Sequence, residues 1–93
     1  ASVDEIKIAR DERINAVQST IKLTRKRIIK LQYQLDDELL NSNDNNESDK
    51  IKSLKDQVSI NEVFINKKID EQEEIKKSYT EYIERFKKLK GYK

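Results

Sequence analysis

Apolar residues recur along the first part of the chain in strides of three and four, the spacing of one helical face. This first stripe has two polar members, Arg10 and Thr24. Its positions are Val3, Ile6, Arg10, Ile14, Val17, Ile21, Thr24, Ile28, Leu31, Leu35 and Leu39. A disordered, solvated tract has no physical reason to keep this phase, so the pattern predicts a long helix over about residues 3–40.

A second stripe follows in strict alternation of three and four residues, which is the heptad seam of a left-handed coiled coil. It predicts a second helix over about residues 50–90. Its positions are Ile51, Leu54, Val58, Asn61, Ile65, Lys68, Gln72, Ile75, Tyr79, Tyr82, Phe86 and Leu89.

Residues 41–49 separate the two stripes and contain only Asn, Ser, Asp and Glu. These residue types favour turns and caps over helix interiors, so the segment is a predicted polar loop. The chain is therefore expected to be one domain over residues 1–93, an all-α fold built as a long antiparallel coiled-coil hairpin. Positions whose numbers sum to about 90 then face each other. In this pairing Arg10 lies over the ring of Tyr79.

Capping residues mark the predicted helix ends. Ser2 and Glu5 have the spacing of a capping box at the start of the first helix. Asp44, Asn46 and Ser48 are alternative caps for the second helix. Gly91 follows a lysine-rich last turn, where a left-handed C-terminal cap is favoured.

The amino-acid composition limits the size of the core and the kinds of chemistry that the chain can support. Charged residues make up 41% of the chain and hydrophobic residues 34%, so the helices bury a narrow stripe rather than a thick core. Because the chain has no His and no Cys, the usual catalytic bases and thiolates are absent, and we expect no enzyme, cofactor, metal site or small-molecule substrate. The acids of residues 36–38 and 70–74 are interpreted as solvated helix faces. Asp44, Glu47 and Asp49 only loosely resemble a calcium loop, which requires a Gly that they lack.

The sequence also bears on location. The longest apolar runs are of two or three residues, such as Val63–Ile65, so neither a signal peptide nor a membrane span is expected. The absence of Cys is compatible with a reducing compartment, and we expect a cytoplasmic or nuclear protein.

Three polar residues interrupt the second stripe. Asn61, Lys68 and Gln72 oppose the apolar residues Ile28, Ile21 and Val17 in the predicted pairing. In one interpretation, the register of the two helices and the choice of partner are determined by Asn61, Lys68 and Gln72. A polar group in a seam has this effect because it destabilises incorrect pairings. The alternative is a solvated, frayed stretch around residues 66–74.

A lone two-helix hairpin leaves apolar side chains exposed to solvent, so a partner is expected to cover these side chains. The predicted partner interface lies near the loop and consists of Ile29, Tyr33, Leu40, Ile60, Val63 and Phe64. We expect these residues to converge on one flank and to bind a second copy, giving a homodimeric four-helix bundle, or a helical segment of another protein. The alternative is an ordinary widening of the stripe, covered by Lys and Arg stems.

A cluster of basic residues supports a second functional hypothesis, in which the hairpin binds nucleic acid or an anionic membrane surface. The candidate phosphate-binding residues are Lys22, Arg25, Lys26, Arg27, Lys67 and Lys68. The net charge of +2 and the lack of a stacking platform argue against it. We therefore favour a non-catalytic protein–protein interaction module, a scaffold or adaptor, which resembles in architecture the helical hairpin arms of larger scaffold proteins.

Overall fold

The computed structural model describes residues 2–41 and 48–91. They form two α-helices, α1 (Val3–Asn41) and α2 (Asp49–Lys90), which pack as an antiparallel hairpin. The predicted all-α hairpin is therefore confirmed, and both helices begin and end within one residue of the predicted bounds. Residues 42–47 of the predicted loop lie outside the described residues, as do the candidate caps Asp44 and Asn46.

Three helix termini each have a cap made by a residue that the sequence marked for it. The hydroxyl of Ser2 accepts a hydrogen bond from the Glu5 backbone N–H at 3.1 Å, and the hydroxyl of Ser48 accepts one from the Ile51 N–H at 3.2 Å. Gly91 ends α2 with a φ of 76°, a left-handed conformation that favours glycine. Its N–H donates to the Lys88 carbonyl at 3.3 Å. These bonds satisfy backbone groups that the helices leave without partners.

The packing divides into two compact units. The terminal unit comprises Ala1–Thr20 and Lys68–Lys93, and the loop unit comprises Ile21–Lys67. The buried residues of the terminal unit are Ile6, Val17, Ile75 and Ile83. The buried residues of the loop unit are Ile21, Thr24, Ile28, Leu31, Ile51, Leu54 and Ile65. Each unit thus has its own seam, a single line of buried side chains between antiparallel segments of α1 and α2.

Contacts between α1 and α2 confirm the predicted pairing. In the terminal unit the Gln72 amide is 3.0 Å from the Gln18 amide oxygen. In the loop unit the Lys50 ammonium is 2.8 Å from the Glu38 carboxylate. Both pairs have residue numbers that sum to about 90, as expected for two helices folded back on each other.

The seam of the terminal unit departs from the strict heptad predicted for the second helix. Ile83 is buried with 8% of its surface exposed, whereas Tyr82 is 52% exposed and Leu89 is 82% exposed. The assignment of Tyr82 and Leu89 to the seam was therefore wrong. The reason lies in α1, where Ile6, Arg10 and Ile14 follow each other in two successive strides of four. The facing stretch of α2 matches these strides by stepping from Ile75 through Tyr79 to Ile83, a stutter in the heptad pattern.

The seam of the loop unit also ends one residue earlier than predicted. Leu39 is 47% exposed, while Glu38 is half-buried and pairs with Lys50. The prediction that Leu39 belongs to the seam was therefore wrong, because the alternation that includes Leu31 and Leu35 continues to Glu38. The hydrogen bond from Lys50 to Glu38 and the charge of that carboxylate raise the pKa of Lys50.

The stutter predicts that substitutions at two adjacent positions of α2 lower the stability of the fold by different amounts. Ile83→Ala should lower the free energy of unfolding by about 2–5 kcal/mol, because it removes buried apolar atoms and leaves a cavity. Tyr82→Ala should lower it by less than about 1 kcal/mol, since half of that side chain is already in water. Urea unfolding followed by circular dichroism at one fixed protein concentration measures both. Equal losses for the two variants would contradict the stutter and restore Tyr82 to the seam.

Candidate interaction surfaces

One amide in the seam of the terminal unit connects the two helices. The side chain of Gln72 donates to the amide oxygen of Gln18 at 3.0 Å and to the backbone carbonyl of Ile14 at 3.3 Å. Both glutamines are half-buried, so part of this polar contact is shielded from water. An amide in such a place costs free energy unless it finds a partner, and here the partner is on the opposite helix.

The other two predicted register residues bond within their own helix. Asn61 is half-buried and donates to the Gln57 carbonyl at 2.7 Å, one turn earlier in α2. Lys68 is half-buried and forms an ion pair with Glu71 at 2.9 Å. A role for all three residues in register selection stays a prediction, and Gln72 has hydrogen bonds to α1.

The aromatic ring near the chain ends has a different cation from the one expected. The guanidinium of Arg13 lies over the Tyr79 ring, 5.7 Å from its centroid. Arg10 instead bonds Asp11 at 3.0 Å. The prediction that Arg10 covers Tyr79 was wrong. Arg10 lies half-buried on the seam line, whereas Arg13 is exposed just beside it, where a guanidinium can cover a ring and remain in water.

Six large apolar side chains were predicted as a partner interface, and all six are exposed on the loop unit. Ile29 and Tyr33 line an open groove on α1 together with Lys26, Arg27 and Lys30. A separate groove on α2 is lined by Ser59, Ile60, Val63, Phe64 and Lys67. Leu40, which is 84% exposed, lines neither groove. Five of the six residues thus lie in two separate grooves, one on each helix.

A groove in the terminal unit shows which positions of an antiparallel pair share a flank. It is lined by Glu5 and Ala9 of α1 and by Ser78 and Tyr82 of α2. Each of these four residues immediately precedes a residue of the seam line. Positions just before the seam on both helices therefore lie on one flank, and positions just after it lie on the other.

The same geometry separates the predicted interface residues of the loop unit. Ile29 follows the buried Ile28, whereas Phe64 precedes the buried Ile65. Ile29 and Phe64 consequently lie on opposite flanks, and the expected convergence of all six residues on one flank was wrong. The numbers of paired residues give their height along the hairpin. They do not specify the side of the seam, which depends on the phase of each helix.

The candidate phosphate-binding residues also divide. Lys22, Arg25, Lys26, Arg27 and Lys67 are exposed on the loop unit, and three of them line the apolar grooves. Lys68 belongs to the terminal unit and is half-buried beside Glu71. The basic residues therefore border exposed apolar side chains, so that charge and apolar surface are available to a partner at the same place.

Sequence reasoning missed three residues that contribute to these surfaces. Gln18 follows the seam residue Val17 and accepts the hydrogen bond from Gln72. Leu23 and Ile69 are apolar, lie outside the predicted seam and are 65% and 38% exposed. The contact of Gln18 could have been predicted, because its residue number and that of Gln72 sum to about 90 and such positions face each other in the hairpin.

Metal sites and membrane spans are absent from residues 2–41 and 48–91. No group of three His, Cys, Asp or Glu side chains there is placed to hold a metal ion. Asp44 and Glu47 of the loosely calcium-like loop lie outside these ranges, and Asp49 is the first residue of α2. Neither α1 nor α2 contains a stretch that is both long and apolar enough to cross a membrane. Comparison of the chain with protein-family models, curated proteins and solved structures finds no significant match.

The contact between Gln18 and Gln72 predicts a measurable coupling. Gln72→Ala should lower the free energy of unfolding by about 0.5–1.5 kcal/mol, since the Gln18 amide oxygen loses its donor. In a double-mutant cycle with Gln18→Ala, the coupling energy should exceed about 0.5 kcal/mol. Gln34→Ala is the matched control, because it removes an exposed amide of α1 and should change stability by less than about 0.5 kcal/mol. Strict additivity of the two single variants would contradict a structural contact between these glutamines.

Proposed function

We propose that this chain is a non-catalytic assembly module whose loop unit binds further helices, either from a second copy of the chain or from another protein. The observation that supports this most directly is the exposure of large apolar side chains beside a seam that is already filled. Ile29, Tyr33, Ile60 and Val63 are each more than half exposed. A partner that buried four or five such side chains would gain on the order of 10 kcal/mol before the costs of association.

The distribution of these residues shapes the proposal. Because Ile29 and Phe64 lie on opposite flanks, one partner helix on one flank leaves apolar surface on the other. A pair of hairpins packed as a four-helix bundle would cover one flank of each. A longer array, or one self-contact combined with one foreign helix, would cover both. Helix-on-helix packing suits these surfaces, since side chains of α1 and α2 form the ridges and open grooves that a third helix requires.

The test replaces one apolar residue in each groove by a charge. Ile29→Asp and Ile60→Asp should each weaken self-association at tens of micromolar by about tenfold or more, because burial of an aspartate in an apolar contact is unfavourable. Ile8→Asp is the matched control, since Ile8 is 58% exposed on the terminal unit, outside both grooves. Sedimentation velocity measures the assembly state, and circular dichroism verifies that helix content is retained.

The outcomes separate the two kinds of partner. A well-folded chain that stays monomeric at these concentrations would exclude a second copy and leave a foreign helix as the partner. Equal effects of all three substitutions would contradict the assignment of the apolar contacts to the two grooves of the loop unit.

A second candidate function has its own supporting observation. No acidic residue occurs between Glu12 and Asp36, a stretch that contains Arg13, Lys22, Arg25, Lys26, Arg27 and Lys30. This acid-free stretch of α1 supports binding to phosphate-rich surfaces such as nucleic acid or an anionic bilayer, where each cation neutralises a phosphate.

Replacement of the charges tests this alternative. The variant with Lys22, Arg25, Lys26 and Arg27 all changed to Gln should lose most of its binding to duplex DNA or phosphatidylserine vesicles. For DNA, the slope of log affinity against log salt should become shallower by about 0.9 for each phosphate that the variant no longer neutralises. The control neutralises Lys87, Lys88 and Lys90 in the last turn of α2, which compensate the helix dipole. Wild-type binding that does not change with salt would exclude the phosphate-binding function.

A further inference from the structure

Two short rows of like charge are present on the outer surfaces of the helices. Lys22, Lys26 and Lys30 follow each other at four-residue steps on α1, and we name them the basic ladder. Asp70 and Glu74 have the same step on α2 and form the acidic ladder. Like charges one turn apart destabilise their own helix. Each ladder is therefore unfavourable for the helix that contains it.

No hydrogen bond or ion pair in the described part of one copy offsets this repulsion. All five ladder residues are exposed, and none forms a hydrogen bond or ion pair with another residue of the ranges 2–41 and 48–91. The neighbouring acids differ in this respect: Glu71 pairs with Lys68 and Glu73 pairs with Lys76. Two acids of the run at residues 70–74 thus have intrahelical partners, and the two members of the acidic ladder do not.

Exposed apolar residues lie directly beside both ladders. Leu23, Ile29 and Tyr33 are 65%, 53% and 72% exposed next to the basic ladder. Ile69 is 38% exposed next to Asp70. A contact that paired the charges would also remove apolar surface from water, which contributes more to affinity than exposed ion pairs do.

We propose that the basic ladder of one copy binds the acidic ladder of a second copy. Both ladders advance by one helical turn per step, so an alignment that places one lysine beside one acid also places the next lysine beside the other acid. This inference rests on the proposed assembly function, to which it adds the identity of the partner and a binding surface on the terminal unit. Each copy has both ladders, so every molecule can use both in assembly.

A second copy explains both ladders with one contact. A phosphate surface would engage the basic ladder and would repel Asp70 and Glu74, so it leaves the acidic ladder unexplained. Electrostatic complementarity of this kind also selects partners, because like ladders brought together repel each other.

Charge reversal tests the pairing without loss of apolar surface. The variants are Lys22→Glu/Lys26→Glu and Asp70→Lys/Glu74→Lys, each studied alone and in an equimolar mixture by sedimentation velocity. Alone, each should self-associate about tenfold or more weakly than wild type, because attraction becomes repulsion at both pairs. The mixture should recover association close to that of wild type, since the reversed ladders complement each other. A milder variant, Lys22→Gln/Lys26→Gln, should show an intermediate loss.

Matched controls change the net charge equally at exposed positions elsewhere. Lys7→Glu/Lys52→Glu and Glu12→Lys/Glu81→Lys should leave self-association within about twofold of wild type, because these residues belong to neither ladder. Circular dichroism verifies the helix content of every variant. If wild type self-associates and the reversals do not weaken it, or the mixture does not recover, the ladder pairing is overturned and the assembly function stands. If wild type is monomeric, the second copy is excluded and assembly then requires a foreign partner.

Discussion

Burial of one narrow apolar stripe on each helix against the stripe of the other is the interaction on which this structure depends. Long helices with 41% charged residues have little other apolar surface to bury, and isolated helices are only marginally stable in water. The seam therefore stabilises both helices at once. Because a stripe covers one side of a helix, the same interaction leaves the remaining surface in water. The exposed apolar residues of the loop unit follow from this geometry.

The seam must also keep the two helices in phase. In the terminal unit, two successive strides of four on α1 are matched by two on α2, so that Ile83 replaces Tyr82 as the buried residue. Matching is required because a seam residue that leaves the line on one helix exposes its counterpart on the other. The glutamine pair of the same unit adds a polar constraint: sliding of one helix along the other would separate the Gln72 amide from its acceptors on α1.

The two candidate functions concern largely the same surface and differ in which force dominates. In an assembly module, apolar side chains such as Ile29 and Tyr33 provide affinity, and the surrounding lysines select the partner. In a phosphate-binding surface, the lysines and arginines provide affinity, and added salt weakens it. The first case also accounts for the acidic ladder, because Asp70 and Glu74 attract lysines and not phosphates. Salt dependence is thus informative about function as well as about affinity.

Much of the fold could be predicted from the amino-acid sequence alone. The stripes determined two helices, the polar segment separated them, and Ser2, Ser48 and Gly91 marked their ends, since capping and helical periodicity depend on residues close together in the chain. Antiparallel pairing also followed, because the two stripes meet in register when the chain doubles back. The exposed status of the six interface candidates followed from their position outside the stripes.

Only the tertiary structure decided which residues of the two helices lie on the same flank of the seam. It placed Ile29 and Phe64 on opposite flanks. It also placed Arg13, rather than Arg10, over the ring of Tyr79 and joined Gln72 to Gln18 by a hydrogen bond. These outcomes depend on the phase of one helix relative to the other, and a difference of one residue rotates a side chain by about 100° around its helix. A stripe read along one helix determines the residues that face inward. The partner helix, with strides of its own, determines the flank on which every other side chain lies.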